Sequence, residues 1–328
     1  MRDLSPMPGR YRPALTLVLA LCLGAAATAT SAEATMSASD SGPRTGPRDT
    51  PSSDGAASAR YRVVDDSGDT VTLAHPARRI VALSPHLVEI AYAAGAGSAL
   101  VGTVEGSDAP AAAQSLPRVG SYRGISVEAI VALEPDLILA WGSGTPPETL
   151  EKLESLGMAV YRSEPRALDD IAATIAAVGR LSGHATAGRR AADAFERGLA
   201  ETEQTLDPAP RVFYQLGHEP LTTLAKGQIV TQVIRHCGGE PLFDDSPVIV
   251  PQIDRESLVL AAPQVILAAG KSDDWKAQWQ GQEAVPAVRD GNLYTLSPDA
   301  ISRPGPRMLD AVDEVCQALS GAAAKGTD

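Results

Sequence analysis

Two glutamates, Glu128 and Glu256, hold the same place in a stretch that the chain carries twice, as Ser126–Gly142 and as Asp254–Gly270. Aligned without gaps, the copies share Glu128/Glu256, Val131/Val259, Pro135/Pro263, Ile138/Ile266, Leu139/Leu267, Ala140/Ala268 and Gly142/Gly270. In each copy a short oxygen-bearing residue, Ser126 or Asp254, stands two positions before the glutamate and can accept an orphan N–H of a first helical turn. A carboxylate in that turn meets the positive end of the helix dipole, an effect of about 0.3–1 kcal/mol that needs no partner. Two identical carboxylates on related lobes also suit a partner with two-fold symmetry. A proline then ends the helix, and the apolar runs Leu137–Ala140 and Val265–Ala268 read as strands covered on both faces.

The histidines are the other groups with chemical reach. His86 follows the first strand of one half and His218 the first strand of the other. Across a cleft, two imidazoles could ligate haem iron or a bare metal; each also reads as a capping or surface side chain. His75, His184 and His236 read as surface residues. Catalysis finds little support. There is no Gly-x-Ser-x-Gly elbow, no phosphate loop with its lysine and no His-Glu-x-x-His helix. Gly142-Ser143-Gly144 after a strand is weak evidence for a nucleotide. The expectation is a binding protein without enzymatic activity, an exported hydrolase being the distant alternative.

Composition narrows the class further. The formal charge of −12 argues against nucleic acid as a partner, since that would need a basic face. Aromatic residues make up 4% of the chain, so each one placed at a cleft carries weight. Arg2, Arg10 and Arg12 precede the apolar run Ala14–Ala27, which is short for a membrane span, and Thr30-Ser31-Ala32 fits a cleavage site. Residues 1–32 are therefore expected to be a signal peptide. Three arginines and one aspartate leave with it, so the mature chain would carry −14. Leu21 before Cys22 favours a soluble exported protein over lipid anchoring at Cys22. Cys237 and Cys316 then remain as an even pair in an oxidising compartment and are expected to form a disulfide.

Several elements must position these groups. Residues 33–60 lack large apolar side chains and are expected to be a disordered tether. An edge hairpin is expected over Tyr61–Leu73. Strands over Arg79–Leu83, Ala99–Val104 and Met158–Tyr161 alternate with helices over His86–Ala94, Glu148–Leu156 and Leu168–Leu181, which is the logic of a parallel α/β sheet. A long helix, His184–Leu206, carries a stripe of Ala187, Ala191, Phe195, Leu199 and Leu206 at near-four spacing. It lies midway between the repeat copies and reads as a rigid strut. A second α/β set follows, with a strand at Arg211–Leu216, a helix at Ile229–Cys237 stopped by Gly238-Gly239, an edge strand within Val288–Leu296 and a final helix at Arg307–Leu319. The expected domains are an N-terminal α/β lobe (61–183), an inter-lobe helix (184–207), a C-terminal α/β lobe (208–320) and a frayed tail (321–328).

The segments Arg79–Pro85, Ile130–Trp141, Gln232–Gly239 and Arg303–Leu319 together resemble those of periplasmic binding proteins that feed cobalamin, haem and iron–siderophore importers of the ABC type. The likeness runs over residues 79–320. It implies a helical-backbone fold, two Rossmann-like lobes on one long helix, with a ligand held in the cleft between them. Cobalamin is the expected ligand; haem, an iron–siderophore or a metal held by His86 and His218 is the alternative. The resemblance assigns Tyr122, Trp141, Asp299, Arg303 and Val250 to the ligand and supports the Cys237–Cys316 pairing. Other cleft aromatics of the family are replaced by Gly106, Thr222 and Val250. It further implies that Glu128 and Glu256 dock the protein, as a periplasmic monomer, onto arginines of a permease dimer served by ATPase subunits.

Overall fold

The computed structural model describes residues 61–121, 123–225 and 227–325; the expected signal segment with Cys22, the tether and Tyr122 lie outside the described residues. The first lobe opens with the hairpin β1 (Arg62–Val64) and β2 (Thr70–Thr72). Its turn is shaped by Asp65, whose Oδ1 accepts the amides of Ser67 and Asp69 at 3.0 and 3.1 Å. The hairpin forms its own two-stranded sheet rather than an edge of the main one, tacked on by the Asp66 amide, which donates to the Arg162 carbonyl at 3.0 Å.

The main sheet of this lobe begins with β3 (Ile80–Ala82), α1 (Pro85–Ala93) and β4 (Leu100–Val104). It continues with β5 (Arg118–Ser121), β6 (Gly124–Ile125), α2 (Val127–Ala132) and β7 (Leu137–Trp141). The helix α3 (Pro147–Ser155) and the strand β8 (Val160–Ser163) close it. The order is β6-β5-β4-β3-β7-β8, and all neighbours are parallel except β5 and β6. Ile80, Val81 and Ala82 are all buried, as are Leu137 to Ala140, which fits strands covered by helices on both faces. The pair β5 and β6 was not expected from sequence, since Arg118–Ile125 holds no apolar run to announce it.

The helix α4 (Leu168–Leu181) turns back into α5 (Ala185–Thr202), which leads to the second lobe. The strut is shorter than expected: its 18 residues span about 27 Å at 1.5 Å per residue. Its buried side is Gly188, Ala192, Phe195 and Leu199, one position round from the expected stripe at its N-terminal end, and Ala187 is exposed. The cause is a close crossing. A Cβ on Gly179 would meet the Gly188 Cα at 2.7 Å, so two glycines set the contact between α4 and α5.

The second lobe contains β9 (Arg211–Gln215), the hairpin β10 (Gly217–His218) and β11 (Leu221–Thr222), and α6 (Ile229–His236). It continues with β12 (Glu240–Pro241), α7 (Arg255–Ala261) and β13 (Val265–Ala269). It finishes with α8 (Pro286–Arg289), β14 (Leu293–Leu296), α9 (Pro298–Ile301) and α10 (Met308–Lys325). Its parallel sheet runs β12-β9-β13-β14. Two expectations are corrected. Pro286–Arg289 is a helical turn, so the edge strand starts only at Leu293. The last helix runs on to Lys325 and buries Ala322, where an end at Leu319 and a frayed tail had been expected.

The strut belongs to both halves of the core. Ala192, Phe195 and Leu199 join Val178 and Leu181 of α4 and Val233 and Ile234 of α6 in one cluster. Cys237 and Cys316 form the expected disulfide, tying the end of α6 to α10 across 79 positions. A closure of that length stabilises by roughly 4–5 kcal/mol in the chain-entropy model. Among the described residues no helix is long and apolar enough to cross a membrane.

Candidate ligand-binding cleft

The carboxyl ends of β7, β8 and β9 open into a cavity of about 550 Å³ whose lining comes from both lobes. Ligands of open parallel sheets sit at such strand ends. Lobe one supplies Trp141, at the last position of β7, and the loop after β8 with Glu164 and Arg166. Lobe two supplies Tyr214, Leu216, Leu224 and Ile249, and the turn after α9 adds Ser302 and Pro304. The walls are mostly apolar. Trp141, Leu216 and Ile249 also stand out among the exposed large hydrophobic residues, at 36%, 49% and 58% exposure. Exposed apolar surface gathered round a concavity marks a binding site more than scattered side chains do.

Trp141 is held by its neighbours. A Cβ on Gly144 would lie 2.0 Å from the Trp141 Cε3, so the indole rests on the bare glycine backbone. The His86 ring meets it edge-on, with centroids 5.7 Å apart and planes at 89°. His86 does not sit in a loop: it is a buried residue of the first turn of α1. Its Nδ1 lies 2.6 Å from the Ser84 Oγ, and its Nε2 has no partner among the described residues. Burial, reinforced by the positive charge of Arg303, pushes its pKa down to about 3. The imidazole is therefore neutral at ordinary pH.

Behind the cleft the lobes are joined by an ion-pair seam. Glu89 of α1, buried, accepts from Arg307 at 2.6 and 3.0 Å and pairs with Arg303 at 3.5 Å. Arg303 also reaches Asp108 of lobe one at 3.0 Å and Asp299 of its own lobe at 2.8 Å. The Arg303 side-chain hydrogen bond holds the Asp108 carboxyl below its usual range, and the bond to Glu89 raises Arg307. Three carboxylates face two guanidiniums, so the seam carries an excess negative charge. Asp299 and Arg303, expected at the ligand, are thus engaged with each other and with lobe one, while Ile301, Ser302 and Pro304 line the cavity around them.

The repeated glutamates lie on the outside. Ser126 and Asp254 cap α2 and α7 as expected, accepting the amides of Ala129 at 3.1 Å and Ser257 at 2.7 Å. Glu128 and Glu256 are exposed in the first turns. Val131 and Val259, one turn further on, are exposed as well. The residues before the two prolines, Glu134 and Ala262, are both left-handed, with φ of 46° and 47°.

The model of the family described as periplasmic binding protein matches residues 80–300. A vitamin B12-binding protein of Vibrio cholerae serotype O1 is 41% identical over 250 residues, covering 74% of this chain and 90% of that protein. The chain belongs to the periplasmic binding protein family. A solved member of the same family, the periplasmic vitamin B12-binding protein BtuF of Vibrio cholerae, is similar at a TM-score of 0.69 and 39% identity, covering 75% of this chain and 98% of that one. The periplasmic haem-binding protein RhuT from Roseiflexus sp. RS-1 is similar at a TM-score of 0.64 and 25% identity, covering 75% and 99%.

Within this family frame the expected site residues separate into groups. Trp141 lines the cleft. Val250 is exposed on the loop whose neighbour Ile249 lines it. His218 is exposed on β10 and stands apart from the cavity lining, and His86 is sealed under Trp141. Among the described residues no group of three or more His, Cys, Asp or Glu could hold a metal ion. Sequence reasoning missed Leu216, Leu224, Ile249 and Arg166. A run of exposed apolar residues, Val248-Ile249-Val250, in an otherwise polar loop was the available signal.

Proposed function

We propose that the protein is the solute-binding component of an ABC importer, capturing cobalamin in the inter-lobe cleft outside the cytoplasmic membrane and delivering it to a permease. The observation that carries this reading is the mismatch between an apolar cleft and committed guanidiniums. Cobalamin is a bulky macrocycle fringed with neutral amides, suited to Trp141, Leu216 and Ile249. Haem brings two propionates, and with Arg303 and Arg307 already paired with Glu89, Asp108 and Asp299 a single unpaired guanidinium, Arg166, remains among the described lining residues. The names of the similar proteins from Vibrio cholerae support the same ligand. Trp141, Val250 and Tyr122 are proposed as ligand contacts, and Asp299 and Arg303 as polar groups beside them. A helical strut resists bending more than loop hinges do, so lobe closure is small. The chemistry is binding and release, without turnover.

Glu128 and Glu256 are proposed as the docking pair. Their exposure and their matching places on α2 and α7 suit a receptor with two equivalent cationic sockets. The test has two arms. Mature protein is titrated with cyanocobalamin, haemin and a ferric siderophore, and tight cobalamin binding is expected. A Soret shift with haemin that disappears in His86→Ala or His218→Ala would replace the corrinoid reading. The charge-reversed double variant Glu128→Arg with Glu256→Arg should abolish uptake and keep affinity; sustained uptake would remove the docking role.

A further inference from the structure

Among the described residues lining the cleft, one charged side chain is left unpaired. Among the described residues lining the cavity, the charged ones are Glu164 and Arg166. Glu164 is occupied: its two carboxylate oxygens accept from the Ser143 amide at 2.7 Å and the Ser143 hydroxyl at 2.9 Å. Arg166 is exposed, and its side chain has no hydrogen bond or ion pair among the described residues. Its backbone is fixed all the same. Asp170, in the first turn of α4, accepts the amides of Arg166 and Ala167 at 2.8 Å each. The loop therefore presents a free guanidinium from a fixed backbone, in a cavity whose lining also includes Gln228 and Ser302.

We propose that Arg166 is the binding site for an anionic group on the ligand, which on the corrinoid reading above is the phosphodiester of cobalamin's nucleotide loop. A planar guanidinium presents two N–H donors to two phosphate oxygens. In a chain of net charge −12, with Arg303 and Arg307 held by carboxylates, a free cation in the cavity lining is placed to select that charge. The corrin ring then lies toward the apolar side, against Trp141 and Ile249, and the nucleotide loop toward the turn between β8 and α4. Recognition divides into two separable parts: apolar contact for the ring, and one charge-assisted contact for the phosphodiester. The partly exposed position makes the second part modest and sensitive to salt.

The test compares cyanocobalamin with dicyanocobinamide, which keeps the corrin ring and lacks the phosphodiester and its base. Arg166→Ala should weaken cyanocobalamin binding about five- to tenfold, tenfold being about 1.4 kcal/mol, and leave dicyanocobinamide within about twofold. Arg166→Glu should cost more, and Arg166→Lys should recover only part of the loss, since the charge is kept and the two-donor fork is not. The gap between wild type and Arg166→Ala should narrow as salt is raised, while the melting temperature stays unchanged. Equal losses for both corrinoids, or no loss for either, would overturn the assignment and leave the corrinoid reading standing. A wild-type protein that binds neither corrinoid would overturn the reading itself, and the phosphodiester assignment with it.

Discussion

Arg79 and Arg211 close the same helix end in opposite lobes. The Arg79 Nε and Nη2 donate to the carbonyls of Leu133 and Glu134 at 2.6 to 3.1 Å, at the end of α2. The Arg211 Nε and Nη2 donate to those of Ala261 and Ala262 at 2.8 to 3.1 Å, at the end of α7. Even the return contact is shared: Asp136 accepts the Arg79 amide and Gln264 accepts the Arg211 amide, each at 3.0 Å. Each guanidinium satisfies carbonyls that a helix terminus leaves open and places positive charge where the dipole is negative. The helices that present Glu128 and Glu256 are thereby anchored to the start of β3 and of β9 in the main sheets of their own lobes.

Removing this anchor should loosen one helix end without touching the cleft. Arg79→Ala and Arg211→Ala are each expected to destabilise by about 1 kcal/mol, the scale of a net hydrogen bond with a dipole contribution. Urea denaturation checks the loss. Ligand affinity should be unchanged, and uptake in cells carrying the double variant should fall.

The inter-lobe seam should show up as coupling. Glu89→Gln leaves Arg307 and Arg303 facing one carboxylate fewer, and a cost of roughly 2–4 kcal/mol is expected for breaking a mostly buried pair. A double-mutant cycle with Arg307→Gln separates the pair from the individual side chains. A coupling near zero would show that the lobes are held by the shared apolar core alone.

Acid should weaken the fold through His86. Its pKa is about 3 in the folded chain against 6.5 ordinarily, so between these values the unfolded chain binds a proton that the folded chain does not. Stability from this group is complete above about pH 6.5 and declines as pH falls toward 3, at up to about 1.4 kcal/mol per pH unit. His86→Leu should flatten the dependence in that window. Chemical denaturation at stepped pH measures it, and an identical slope in the variant would refute the effect.

Gly144 should matter to binding more than to stability. A methyl group at this position would stand 2.0 Å from the Trp141 ring, so Gly144→Ala must turn the indole away from its bed. On the corrinoid reading, the expected outcome is a loss of affinity of about two- to twelvefold, from an aromatic contact of about 0.5–1.5 kcal/mol. Altered tryptophan fluorescence and a stability change below about 1 kcal/mol should accompany it.

How far the sequence could be read follows the range of the interactions. The duplicated helix–strand unit was legible because its signals are local: Ser126 and Asp254 cap the very helices expected of them, and the prolines end those helices at left-handed residues. Parity and compartment sufficed for Cys237 and Cys316. The strut's face was misjudged at its first turns because Gly188 is buried by its fit against Gly179, a relation that periodicity cannot express. The Glu89–Arg307 contact joins residues 218 positions apart, and no local pattern announces it. Gly142-Ser143-Gly144 resembled a weak nucleotide signature because glycine permits many close approaches, and here it admits the face of an indole.

The matching places of Glu128 and Glu256 on α2 and α7 bear on orientation. On the docking proposal, a receptor with two equal sockets would accept the molecule either way round, since each socket sees a cap, a glutamate and a valine in the same order. The tie is broken by unlike neighbours: where the first helix carries Val127 and Ala132, the second carries the exposed Arg255 and Leu260, the latter 86% exposed. An added cation and a protruding leucine on one side then give a key with two like teeth a preferred way into its lock.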